Sequence, residues 1–135
     1  MKCLSKSFPL VTGAVIIFAT SAAYGAEQAQ PEVIRIELSS FDLKPDALSL
    51  MHGRSYDLEL VNRSGSSHDF AARGLFNSAR IEPADARLVV KGSVEVPSKS
   101  TVHLHFVPVQ AGEFEFHCTH PFHAVLGMKG RVDVL

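Results

Sequence analysis

The chain has 135 residues, with 13 lysines and arginines against 14 aspartates and glutamates, seven histidines and two cysteines. There is no basic surplus to neutralise a phosphate backbone, so nucleic-acid binding is not expected, and two cysteines exclude a disulfide-stapled miniature scaffold. An apolar fraction of 46% suits one folded core of ordinary size.

At the N-terminus Lys2 and Lys6 form a basic opening, residues 10 to 23 an apolar run, and AYGA at residues 23 to 26 a small-residue cleavage site. This pattern predicts a cleaved signal peptide over residues 1–25 and a mature domain over 26–135. The run falls short of the roughly 20 residues that cross a bilayer, and no later segment resembles a span. Cleavage would remove Cys3, Lys2 and Lys6, leaving 11 basic residues against 14 acidic ones and Cys118 as the one remaining cysteine. A lone cysteine in an exported chain is a free thiol, an intermolecular bridge or a ligand.

From residue 33 onward the dominant period is two. VIRIEL (33–38), ALSL (47–50), YDLELVN (56–62), VEV (94–96), TVHLHFV (101–107), EFEFHC (113–118) and GRVDVL (130–135) alternate apolar with polar residues between turn-forming clusters. The alternation predicts an all-β, antiparallel sandwich with one face of each sheet buried. Residues 71 to 93 break the rhythm, and a long excursion with one short helix is expected there.

Parity orients the cysteine. In EFEFHC, Phe114, Phe116 and Cys118 share one face and Glu113, Glu115 and His117 the other, so Cys118 should end its strand facing the core. The loop that follows, THPFHAVLGM, carries His120, His123 and Met128. Two imidazoles and a thiolate with a distant thioether form the ligand set of a mononuclear copper electron-transfer site. His68, after a Gly/Ser turn in NRSGSSHDF, is the candidate for the imidazole outside the loop. His120, two residues after Cys118, is expected beside the site, with an exchange of roles between it and His123 as the alternative.

With these motifs the mature chain resembles the cupredoxins, the blue copper family of plastocyanin, azurin, auracyanin and rusticyanin. The spacing of Cys118, His123 and Met128, followed by KGRVDVL, is similar to the long ligand loop of auracyanins and rusticyanin. The resemblance implies a Greek-key antiparallel β-sandwich and one Cu(I)/Cu(II) ion in a type 1 site. It implies equatorial ligands His68, Cys118 and His123 and axial Met128. It also implies a periplasmic, monomeric electron carrier that is not an enzyme and that serves redox partners such as periplasmic cytochromes.

Two positions depart from the family pattern: Phe122 stands where glycine often precedes the loop histidine, and Asp69 where asparagine commonly follows the first histidine. A thiol enzyme using Cys118 would need an exposed thiolate, against the inward parity of that residue.

A second function class is a copper-handling or copper-tolerance protein. If TVHLHF and EFEFHC form a hairpin across PVQAG, then His103, His105 and His117 join Glu113 and Glu115 in one surface patch that could hold a further, weaker metal ion.

Overall fold

The computed structural model describes residues 29–135, so the predicted signal peptide lies outside the described residues. Eleven strands and one short helix follow in order: β1 (Glu32–Leu38), β2 (Leu43–Lys44), β3 (Ala47–Leu50), β4 (Tyr56–Asn62), β5 (His68–Ala71), α1 (Arg73–Asn77), β6 (Ala79–Ile81), β7 (Val89–Val90), β8 (Ser93–Val96), β9 (Thr101–Pro108), β10 (Gly112–His117) and β11 (Lys129–Val134). One sheet runs β2-β1-β4-β9-β6 and the other β3-β11-β10-β5-β8-β7. Most neighbours are antiparallel, while β1 with β4 and β3 with β11 are parallel pairs.

Alternation explains the packing. Ile36 and Leu38 of β1, Leu58 and Leu60 of β4, and Leu104 and Phe106 of β9 point inward from the first sheet. Phe70, Val94, Val96, Phe116 and Val132 meet them from the second. Burying two such faces against each other is the main driving force of a sandwich. Tyr56 is buried too, with its hydroxyl accepting the Met51 backbone N–H at 2.8 Å, which satisfies the one polar atom that its ring carries into the core.

The seven strands expected from alternation are present to within a residue or so at each end. The excursion holds α1 and a 3-10 turn at Ala86–Leu88, together with the short strands β6 and β7. Strand β5 did not announce itself because all four of its residues, His68 to Ala71, are buried and so show no period of two.

The expected hairpin between β9 and β10 does not form. β9 lies between β4 and β6 in one sheet, and β10 between β11 and β5 in the other. The connection is an arch between sheets, tied down where Val109 donates to the Ser78 carbonyl and Gly53 to that of Pro108. His103 and His105 therefore lie on a different sheet from His117, Glu113 and Glu115, and the five-residue patch is corrected to two separate surfaces. Period-two alternation fixes which face a residue takes; it does not fix which strand lies beside it.

Among the described residues no helix is long and apolar enough to cross a membrane.

Candidate metal centre

The site lies at one end of the sandwich, where β5 begins and β10 ends. Cys118 follows β10 with the inward parity of Phe116 and is 1% exposed. Its backbone N–H donates to the Met128 carbonyl at 3.0 Å, and the Met128 N–H donates to that of His123 at 3.0 Å. These two bonds cinch residues 118–128 into a closed loop, so that Cys118, His123 and Met128 are brought together although they span eleven positions.

His68 opens β5, fully buried, opposite Val96 of β8. Its ring is aimed by a polar relay that the sequence reading missed. Asn62, at the end of β4, donates through its side-chain amide to the carbonyls of Ser66, Val96 and Pro97 at 2.8, 3.0 and 3.1 Å. Its carbonyl oxygen accepts the Ser64 hydroxyl at 2.8 Å, and Ser64 Oγ lies 2.8 Å from His68 Nε2. With Nε2 donating to Ser64, the Nδ1 lone pair points away, towards Cys118 and His123.

Three donor atoms converge there. His68 Nδ1 and His123 Nδ1 are 3.2 Å apart, Cys118 Sγ is 3.3 Å from His123 Nδ1 and 3.9 Å from His68 Nδ1. An ion bound at its centre with bonds of about 2.0–2.1 Å to nitrogen and 2.3 Å to sulfur would hold trigonal donors roughly 3.5 to 3.8 Å apart. The observed triangle fits such an ion with sub-ångström adjustment. The set is also chemically selective, since thiolate with two imidazoles favours copper and zinc over hard cations. Met128 is fully buried at the closing end of the loop.

The electrostatics favour metal over free thiolate chemistry. Burial pushes the Cys118 thiol up to about 11, although backbone hydrogen bonds from Asp69 and His120 pull the other way. A buried thiol of that kind is protonated near neutrality and lacks the exposed thiolate of a nucleophile. A metal ion would displace the proton and compensate the sulfur charge in one step. Burial, with His123 and His120 nearby, lowers the pKa of His68 and keeps it in the neutral, ligating form.

Asp69 joins the two halves of the site. Its carboxylate accepts the Thr119 backbone N–H at 2.6 Å, the Thr119 hydroxyl at 2.7 Å and the Ser93 hydroxyl at 2.5 Å. Burial raises its pKa, but these bonds from Ser93 and Thr119 outweigh that effect and hold the carboxyl below its usual range. A carboxylate can thus tether the loops wholly as an acceptor.

His120 is not one of the three convergent donors. Its ring stacks on His123 with centroids 5.6 Å apart and planes 18° from parallel, and its Nε2 lies 3.3 Å from Glu95. Phe41 meets the same His123 ring edge-on, at 5.9 Å. Nothing in the local sequence around Phe41 or Glu95 signals these roles, which arise from loop and strand neighbours distant in the chain.

A family model described as a cupredoxin-like domain matches residues 10–132. The chain belongs to this family. Among solved structures, the cupredoxin is similar to auracyanin from the photosynthetic bacterium Roseiflexus castenholzii, at 19% identity and TM-score 0.58, over 76% of this chain and 96% of that one. It is also similar to auracyanin A, described as a "blue" copper protein from Chloroflexus aurantiacus, at 18% identity and TM-score 0.57, over 78% and 99% of the two chains. A multicopper oxidase from Campylobacter jejuni matches at 20% identity and TM-score 0.59, over 78% of this chain but 30% of that one. These likenesses are of fold. No curated protein matches the chain by sequence.

Within the cupredoxin loop, Phe122 has φ of +67°, the left-handed region that glycine adopts without cost. This chain meets that backbone conformation with a phenylalanine, where the resemblance leads to an expectation of glycine. Phe122 is 78% exposed and stands with Val125 and Leu126 on the surface beside His123.

Proposed function

We propose that this cupredoxin would hold one copper ion through His68, Cys118 and His123, with the Met128 thioether as a further donor, and carries single electrons in the periplasm after cleavage of residues 1–25. The observation that carries the reading is the convergence of two imidazole Nδ1 atoms and one buried sulfur at 3.2, 3.3 and 3.9 Å. Copper, when bound, supplies the Cu(II)/Cu(I) couple. The thiolate and thioether suit the reduced ion, the imidazoles suit both, and a loop cinched by its own backbone bonds changes little between states.

The remaining residues serve access and insulation. Phe70 and Phe116, with ring centroids 4.8 Å apart, sit in the core on which the site rests, and His68 is sealed from solvent. His123 is partly exposed amid the apolar Phe41, Phe122, Val125 and Leu126, so that its ring offers electrons a short route to a docked partner such as a periplasmic cytochrome. We assign no enzymatic step to these groups. The alternative of copper tolerance drew on a single patch of His103, His105 and His117, which the two sheets separate.

Stopped-flow mixing of the reduced, copper-loaded protein with an oxidised periplasmic cytochrome c tests the reading. A bimolecular electron transfer whose rate rises with cytochrome concentration, and which is lost on removal of copper, is expected. Copper that binds but exchanges no electrons on the timescale of seconds would overturn the carrier role.

A further inference from the structure

The outer face of the β4–β9 pair carries further side chains of metal-ligating type, Asp57, His103 and His105, although their donor atoms do not converge as closely as those of His68, Cys118 and His123. Alternation puts His103 and His105 on one face of β9, and register sets Asp57 of β4 directly opposite His105. His103 Nδ1 lies 3.1 Å from each oxygen of Asp57, and His105 Nε2 lies 3.9 Å from Asp57 Oδ2. The other ring nitrogen of His105 is 2.7 Å from Asp85 Oδ2, which also accepts the His105 backbone N–H at 2.9 Å.

With Nδ1–H donating to Asp85, Nε2 is the ring nitrogen left facing the Asp57 carboxylate. A carboxylate holding the outer nitrogen of an imidazole is the arrangement that orients histidines bound to metal ions. Among the described residues only these two imidazoles lie within ion-pair reach of Asp57, and Arg35 is committed to Glu59 by two bonds of 2.8 and 2.9 Å. The Asp57 side chain is also largely covered, at 17% exposed.

We propose that Asp57, His103 and His105 form a second cation site, with Asp85 positioning His105, for a borderline divalent ion of the Zn(II) or Cu(II) type. Two imidazoles and one carboxylate select such ions over Mg(II) or Ca(II), and three protein donors leave a fourth position to water. His103 and His105 are about half exposed, at 49% and 42%, so the rings are free to close the remaining distance around an ion resting on Asp57. The site is an open surface one, whose ion exchanges with solution and braces β4 against β9. It shares no residue with the Cys118 centre and does not rest on the function proposed there.

Isothermal titration of Zn(II) into the mature protein at pH 7.5 tests it, with three variants. His103→Ala/His105→Ala should remove one equivalent of zinc, while His68→Ala/Cys118→Ser should leave that equivalent in place, which separates failure of this site from failure of the other. Asp85→Asn should weaken the same equivalent about 10- to 100-fold without abolishing it. His117→Ala, on the other sheet, should change nothing. In parallel, a second equivalent of Cu(II) should add an EPR signal without intense sulfur-to-copper charge transfer, and the His103→Ala/His105→Ala variant should lack it. Zinc stoichiometry that is identical in the wild type and the His103→Ala/His105→Ala variant, both folded by circular dichroism, would overturn the proposal and leave two plain histidine–aspartate ion pairs.

Discussion

Asp69 and Thr119 are joined twice, the carboxylate accepting both the backbone N–H at 2.6 Å and the hydroxyl at 2.7 Å of the residue that follows Cys118. The bonds lock the start of β5, which carries His68, to the start of the loop that carries His123. One side chain therefore governs both the spacing of the proposed ligands and the charge beside them.

Replacing Asp69 by asparagine keeps an acceptor oxygen for Thr119 and removes a negative charge close to Cys118. Loss of that charge disfavours Cu(II) relative to Cu(I), so redox titration should show a higher potential. An interaction of about 1.4 kcal/mol corresponds to about 59 mV for one electron, which sets the scale. An unchanged or lower potential would contradict the electrostatic role.

The same residue sets an acid limit on the copper-free protein. Its folded pKa lies below the unfolded value, so its contribution to stability is present above about pH 4 and is lost as pH falls through the folded value. Chemical denaturation of wild type and Asp69→Asn should differ most at neutral pH, and the gap should narrow below pH 4. A constant gap across that range would count against this linkage.

Asn62→Ala should cost about 1–3 kcal/mol, because it leaves the carbonyls of Ser66, Val96 and Pro97 short of a donor at a site 2% exposed. It also frees Ser64, so copper affinity should fall along with stability. Competition titration with a Cu(II) chelator measures the second effect, and a stability loss with no change in affinity would sever the relay from His68.

At Gly130 a Cβ would lie 2.3 Å from the Asp46 carbonyl oxygen and 2.4 Å from Phe116 Cζ. Both neighbours are fixed, the carbonyl by the Arg131 N–H and the ring by the core. Gly130→Ala should therefore destabilise by about 1–3 kcal/mol in urea unfolding, through displacement of β11 from β3. A neutral result would show that the parallel β3–β11 pair yields easily.

Phe122→Gly relieves the positive φ while adding freedom to the unfolded chain, and the two effects should cancel to within about 1 kcal/mol. The absorption spectrum of the copper-loaded protein should be unchanged. Electron exchange with the cytochrome should slow, because an exposed apolar ring beside His123 is lost from the docking surface.

Much of this architecture was legible in the sequence, for a definite reason. Strands with one wet face, such as β1, β4 and β10, write their burial into an alternating pattern, and that pattern alone placed Cys118 inward. β5 was illegible because burial on both sides erases alternation. The partners of β9 and β10 were illegible because alternation says nothing of neighbours, and the histidines of β9 face Asp57 and Glu59 of β4 rather than the carboxylates of β10. The proposal of His68, Cys118, His123 and Met128 as ligands rests on residue type and spacing, whereas Asn62 reaches His68 through Ser64, Phe41 meets His123 and Glu95 meets His120 through contacts of long sequence separation.

One buried sulfur and two imidazoles, those of Cys118, His68 and His123, are proposed to hold copper. The optical and EPR spectrum of the purified mature protein with one equivalent of Cu(II) tests this most directly, with Cys118→Ser alongside. Intense visible sulfur-to-copper charge transfer in the wild type, absent from the serine variant, is predicted; a colourless wild-type protein with copper bound would rule out Cys118 as a ligand.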